Sequence, residues 1–287
     1  MSEEVTIIAK DGCELRGLFF RALNDHNEVA PTYLLQHGMG VDLDSWKFFY
    51  PYLLASGFSV LMMDLRGHGL SGDTSLYRCT IGQMADDLEL VCRELQVQPH
   101  TLVGHSFGCQ VLLEVLKRHE WMRGIKHFIA IAPAWGAGDM TWSQRRQQAV
   151  SAFHFLRRMG KHTGYSMKRK RRRHDHTVFA GHIDGSREHF ISNVRALSWL
   201  NFAWFIIILQ FKVLFRKECW QALGDLPVTM VQANFDRIWS HQNVRQIHKL
   251  TAWPLYSIDM QHISISTGPG AAELLADLLR KHGFIGS

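Results

Sequence analysis

Short apolar runs alternate with amphipathic stretches along this chain, and that alternation limits what it can fold into more than any single motif. The runs are TYLLQHG (32–38), FSVLMMDLRGHG (58–69), HTLVG (100–104), IKHFIAIAPA (125–134), PVTMVQANFD (227–236) and WPLYSIDM (253–260). TYLLQHG is a short apolar run closed by glycine, as a buried strand would be, and the others read as strands likewise. Between them lie helix-like stretches. SWKFFYPYLLASG (45–57) has Ser45 as its expected cap and Gly57 as its stop, with a kink or break expected at Pro51. Thr80 followed by Gln83 forms a capping-box pattern, and Ile81, Met84, Leu88, Val91 and Leu95 then recur at helical spacing. GCQVLLEVLKRH (108–119), NVRQIHKL (243–250) and GAAELLADLLRKHG (270–283) complete the series. Strands alternating with helices predict an α/β fold whose mainly parallel sheet is covered on both faces. The opening EVTIIAKDGCELRGLFFRAL (4–23) adds a hairpin about Lys10, Asp11 and Gly12, hence an antiparallel edge.

A parallel sheet places ligand sites at the carboxyl ends of its strands. One such end is marked by LVGHSFGCQ (102–110), where a polar serine sits between two glycines. In Gly-x-Ser-x-Gly, between strand and helix, the turn is so sharp that serine takes a strained conformation, and the glycines admit the close approach of strand and helix. The Ser106 hydroxyl then projects above the sheet. The Phe107 amide points to the same space at a helix N-terminus, where partial positive charge favours an anion. His37-Gly38-Met39-Gly40 directly follows the strand of residues 32–36, so the Met39 amide is the expected second donor of an oxyanion hole.

A serine hydroxyl needs a base at neutral pH. His262, in SIDMQHISI, lies just past the last strand, whereas His241 and His248 belong to a helix-like stretch and His282 to the last turn of the terminal helix. An acid must orient the imidazole. Asp236 follows the strand 228–233 at its carboxyl end; Asp259 is the rival, on the strand before His262, and Asp236 is favoured. The order Ser106, Asp236, His262 is the chain order of a Ser–acid–His triad on a strand–turn–helix elbow.

With HGMG (37–40), DLRGHGLSG (64–72), GHSFG (104–108), Asp236 and His262 in place, the chain resembles the α/β-hydrolase superfamily over nearly its whole length. The resemblance implies a serine hydrolase core of residues 1–133 and 223–287, with a helical cap, residues 134–222, inserted after the sixth strand of the sheet. Ser106 stands where dehalogenases and epoxide hydrolases of the superfamily carry an aspartate nucleophile. Asp64, Arg66, His68 and Ser71 are expected to brace their turn rather than to act in catalysis.

The expected cap departs in composition from the rest. Residues 134–222 carry 16 Lys/Arg against 5 Asp/Glu, a net of +11, while the remainder carries 16 basic and 21 acidic residues, a net of −5. Its KRKRRRH run (168–174) reads first as a solvated loop. A sharper reading is contact with an anionic membrane surface or a phosphate-bearing substrate. Nucleic-acid binding would need aromatic platforms or a known motif beside the run, and neither is present. LSWLNFAWFIIILQFKVLF (197–215) approaches the length of a membrane span but is broken by Asn201, Gln210 and Lys212. It reads as an apolar cap helix, with Trp199, Phe202, Trp204, Phe205 and Phe211 as candidates to line an acyl pocket.

Five scattered cysteines, an odd number with no CxxC, fit reduced thiols better than a disulfide framework. Seventeen histidines form no HExxH or Cys/His cluster, so neither a metal nor another cofactor is expected. MSEEVTIIAKDG holds acidic residues and no apolar block, so no secretory leader is expected. The sequence therefore predicts a cytoplasmic hydrolase, with peripheral membrane contact through the basic cap as a further expectation. Its substrate would be a small ester with an apolar acyl or aryl group, lipid-like at the limit. Thioester, amide or C–C cleavage by the same triad, and a non-catalytic ligand-binding role, are the alternatives.

Overall fold

The protein is described from a computed structural model that covers residues 2–23, 28–72, 78–118, 120, 124–135, 223–236, 241–262, 265 and 268–286. Eight strands form one sheet: β1 (Ser2–Ile8), β2 (Glu14–Phe20), β3 (Thr32–Gln36), β4 (Ser59–Met63), β5 (Thr101–His105), β6 (His127–Ile131), β7 (Val228–Ala233) and β8 (Leu255–Ile258). Their order is β1-β2-β4-β3-β5-β6-β7-β8. β1 and β2 pair antiparallel, as does β2 with β4, and every pairing from β4 through β8 is parallel. The expected hairpin is present, and Gly12 takes the positive φ of 82° that its turn requires.

All five residues of β3, of β4 and of β5 are buried. Both faces of these strands are therefore covered, which explains why they read as continuous apolar runs rather than as alternating ones. Successive side chains still part to opposite faces. Leu34, Leu102, Phe128 and Met230 pack with the buried sides of α2 (Ile81–Glu94), α3 (Phe107–Arg118) and α4 (His241–Thr251). Tyr33, Leu35, Val103, Ile129 and Val231 pack on the other face with α1 (Tyr50–Ala55) and α5 (Pro269–Lys281). Fully burying one such Leu, Ile or Phe side chain contributes about 1.5–3 kcal/mol. α2 starts as its sequence predicts: the Thr80 side chain accepts a hydrogen bond from the Gln83 amide at 3.1 Å.

Residues 45–57 differ from expectation. A 3-10 helix, Leu43–Trp46, comes first, and α1 begins only at Tyr50 with Pro51 in its first turn. Ser45 is not a cap; it lies inside the 3-10 helix and its hydroxyl donates to the Asp42 carbonyl at 2.5 Å. The break falls ahead of Pro51 because proline lacks an N–H and is tolerated only where a helix begins.

The chain after β6 leads out of the sheet, and Leu223 brings it back to the core before β7. Ala134 and Trp135, the first two residues of the expected cap, are buried; Trp135 meets the rings of Phe128 and Trp253 edge-on at 5.7 and 6.1 Å. The remainder of the cap, with its basic run and its aromatic stretch, lies outside the described residues. Among those residues, no helix is long and apolar enough to cross a membrane.

Candidate active site

Ser106 directly follows β5 and opens into α3. Its φ is 52°, a left-handed value that costs a side-chain-bearing residue strain of about 1–3 kcal/mol. The turn is held by its amide, which donates to the Ile131 carbonyl of the neighbouring β6 at 2.9 Å, and by its carbonyl, which accepts from Cys109 N at 3.2 Å. Both flanking glycines are sterically required. A Cβ on Gly104 would lie 2.8 Å from the Cys109 backbone, and one on Gly108 would lie 2.6 Å from the His37 carbonyl oxygen. The strand therefore runs into the helix at a distance no side chain permits. Cys109, the thiol nearest in sequence, is buried within α3, and burial pushes its pKa far above the usual thiol range.

The predicted partners converge on this serine. The Ser106 hydroxyl lies 2.8 Å from His262 Nε2, and His262 Nδ1 lies 2.7 Å from Asp236 Oδ2. A carboxylate only accepts, so Nδ1 carries the proton and Nε2 is left to accept from the serine. Both side chains of the acid–base pair are nearly sealed, at 7% exposure for His262 and 4% for Asp236. Asp236 ends a turn that closes β7, with its amide donating to the Ala233 carbonyl at 3.2 Å; the Phe235 amide donates to Met260 across the gap to the loop after β8. The rival Asp259 does not join the site: it is exposed and accepts from Asn234 Nδ2 at 2.6 Å. The other late histidines also lie elsewhere, His241 and His248 in α4 and His282 at the C-cap of α5.

Met39 is half-buried in the loop that leaves β3, and Phe107 is the first residue of α3. The loop runs against the elbow, since a Cβ on Gly38 would lie 3.3 Å from Ser106 Cβ. His37 braces it, accepting from Leu65 N at Nε2 (3.0 Å) and donating from Nδ1 to the Gly38 carbonyl (2.7 Å).

The DLRGHGLSG loop is structural, as its sequence suggests. Asp64 accepts from the amides of Leu43 and Leu70 at 2.8 and 2.6 Å, and the Ser71 hydroxyl donates to the Asp64 carbonyl at 2.7 Å. Arg66 is fully buried and donates to Asp87 at 2.6 and 2.5 Å and to Asp11 at 2.8 Å. Burial opposes its charge, but the hydrogen bonds to the two carboxylates outweigh that and hold its pKa above the ordinary value. Asp87 is not marked by the sequence reading, and Asp11 is marked there only as a turn residue. Asp87 offered a signal, an acid on the same helical face as Met84, Leu88 and Val91.

His105, inside GHSFG, was also passed over. It is buried, and its Nε2 lies 2.7 Å from the His262 carbonyl oxygen. Burial, joined by the charge of His262, lowers its pKa to about 3. Among the described residues, no group of three or more His, Cys, Asp or Glu is arranged to hold a metal ion. The cap residues Trp199, Phe202, Trp204, Phe205 and Phe211 lie outside the described residues.

Comparison with known proteins places the fold in a family. The chain is 38% identical over 86 residues to the magnesium-chelatase 30 kDa subunit of Rhodobacter capsulatus, 30% of each chain. It is 32% identical over 103 residues to the bifunctional esterase/perhydrolase DCH of Acinetobacter calcoaceticus, 36% of this chain and 35% of that one. The matched stretch thus spans about a third of the curated relatives' length. A thermophilic esterase from Thermogutta terrifontis, solved with malate bound, superposes with a TM-score of 0.67 over 97% of this chain and 98% of that one, at 20% identity, which shows a shared fold. The family model described as the alpha/beta hydrolase fold matches residues 31–264. That match takes in the elbow, the loop after β7 and the loop after β8, and the chain belongs to the alpha/beta hydrolase fold family.

Proposed function

We propose that the protein is a serine hydrolase that cleaves a carboxylic ester through an acyl-serine intermediate. The observation that carries this reading is the continuous chain from the Ser106 hydroxyl through His262 to Asp236, with contacts of 2.8 and 2.7 Å, on a serine held at φ 52°. In this reading Ser106 attacks the ester carbonyl while its proton passes to His262 Nε2. Asp236 holds the ring in the Nδ1–H tautomer and stabilises the imidazolium. The Met39 and Phe107 amides receive the negative charge of the tetrahedral oxygen, each donor contributing about 2.7–4 kcal/mol to lowering the barrier. His262 then returns the proton to the leaving alcohol. It next activates a water that releases the acid and frees Ser106.

The cap extends the proposal to substrate. An apolar acyl or aryl group would lie against the aromatic stretch of residues 197–215, and the basic run of residues 168–174 would favour an anionic lipid surface. The relative named as an esterase/perhydrolase supports ester chemistry over its matched third.

The decisive experiment is labelling of the native protein with a fluorophosphonate probe, followed by turnover of matched ester, thioester and amide substrates. The expected result is one label on Ser106, absent in Ser106→Ala with its fold intact, and faster ester than amide turnover. A native protein that takes no label yet still binds small apolar esters would be a ligand-binding member of the fold. A rate indifferent to acyl chain length would remove the acyl-pocket role of the cap.

A further inference from the structure

His105 is the last residue of β5 and stands next to Ser106. Its ring reaches across the carboxyl end of the sheet to the loop after β8, where its Nε2 lies 2.7 Å from the His262 carbonyl oxygen. A carbonyl only accepts, so His105 Nε2 carries the proton and donates it. The two imidazoles lie 5.1 Å apart and tilted by 45°, so they pack without sharing a proton. On its other side, His105 Nδ1 faces the loop after β3: a Cβ on Gly38 would lie 3.2 Å from it. That nitrogen is buried and has no hydrogen-bond partner. One buried side chain therefore lies between the Met39 loop and the His262 loop, next to the serine in the chain.

The position matters because His262 reaches its site over a long detour in sequence. It comes from a loop 156 residues away from the serine, and the segment that carries it, after β8, is short. The pair of side-chain contacts, to Ser106 and Asp236, orients its ring. The hydrogen bond from His105 holds its main chain. An N–H donor is needed at that carbonyl. A cation there would stand against His262 just as His262 takes up its proton, so a neutral donor is required. Among the described residues, the charges of His262, Asp236 and His37 act on the His105 ring, and burial keeps its imidazole uncharged at neutral pH.

We propose that His105 is a positioning residue of the hydrolase site, a neutral clamp whose Nε2–H holds the His262 backbone and thereby sets the Ser106–His262 contact. The inference rests on the hydrolase reading of the site, and it concerns the rate of proton transfer rather than substrate binding.

The test compares His105→Met and His105→Gln in the full chain. Both side chains are unbranched and close in volume, but only glutamine presents an N–H where Nε2 stands. Turnover is measured per active site titrated with the fluorophosphonate probe, so that loss of folded protein is divided out. His105→Met is expected to lower kcat and the rate of probe attack by about 10- to 100-fold, with KM changed less than about twofold. His105→Gln is expected to recover most of that loss. Equal rates in the two variants, or a fall in titratable sites with kcat per site unchanged, would overturn the clamp and leave His105 a packing residue. A wild-type protein inert to probe and ester is a different outcome, since it removes the hydrolase reading and the clamp with it. Should neither variant fold, nitrogen NMR of the wild-type histidines decides. His105 is expected to remain in the neutral Nε2–H form from about pH 5 to 8; an Nδ1–H form, or a charge change near its ordinary pKa of 6.5, overturns the proposal.

Discussion

Two buried acid–base networks brace the loops of this protein, and they are built from opposite kinds of base. Arg66 is fully buried between Asp87 on α2 and Asp11 in the β1–β2 turn. Its cation is permanent, and both of its neighbours are acids that neutralise it. His262 is almost as deeply buried, but it faces one acid and one hydroxyl. A guanidinium cannot give up its proton in a protein, so the first network can only hold α2 and the hairpin against the end of β4. An imidazole can take up and give back a proton, so in the proposed reaction the second network can receive one and return it. The difference teaches that burial with a carboxylate does not mark a catalytic pair. What sets the His262 pair apart, and supports its proposed catalytic role, is a base with an acceptor nitrogen left over for a hydroxyl.

Breaking each network in turn should give unlike results. Asp236→Asn leaves the shape of the site but favours the wrong imidazole tautomer, and should lower kcat by about 10⁴-fold with little change in the denaturation midpoint. Steady-state kinetics beside urea unfolding measures both. Arg66→Met should do the reverse. It strands Asp87 at 8% side-chain exposure, and should cost about 3–5 kcal/mol of stability, while kcat per titrated site stays close to wild type. Adding Asp87→Leu to it should return part of that stability, because the uncompensated charge is then gone. Asp11→Asn is the mildest break. It lies at the edge of the network, and its loss should cost no more than about 1 kcal/mol.

Acid sharpens the contrast further. Burial lowers His105 to about 3 and, with help from His100, His127 to about 4, both from an ordinary 6.5. The unfolded chain therefore binds protons that the folded chain refuses. Stability is complete above about pH 6.5 and falls as pH drops toward 4. Asp11 acts in a lower range: the hydrogen bond from Arg66 lowers its pKa, so the contribution of that carboxylate is complete only above its ordinary 3.8 and is lost as pH falls from there toward the lowered value. Urea midpoints across about pH 4–8 should slope for the wild type and slope less for His127→Gln. A flat wild-type profile would show that these histidines are not held neutral.

Much of the fold is legible in the sequence, and the reason is local. The β1–β2 hairpin follows from Gly12, the start of α2 from Thr80 and Gln83, and the elbow from Gly104 and Gly108, each through the conformations of a few adjacent residues. That Ser106, Asp236 and His262 would meet was legible because each follows a strand at the same end of a parallel sheet. What escaped were partnerships between distant segments. Asp11 and Arg66 lie 55 residues apart, and His105 and His262 lie 157 apart. No spacing rule links such pairs. Residues 45–57 misled for another reason. Serine is favoured both at a cap and within a short turn, and only the Asp42 carbonyl decided between them.

The sequence by itself determined the elements, the face each one buries and the strand ends at which chemistry can occur. Period, glycine and capping are properties of neighbouring residues, and they act before any tertiary contact forms. Tertiary structure decided which of two aspartates meets His262, and which histidine donates to the His262 main chain. It also decided that Arg66 would serve as a brace. Those choices depend on groups 21 to 157 residues apart in sequence being brought within about 3 Å of each other. Only the packed sheet sets such distances.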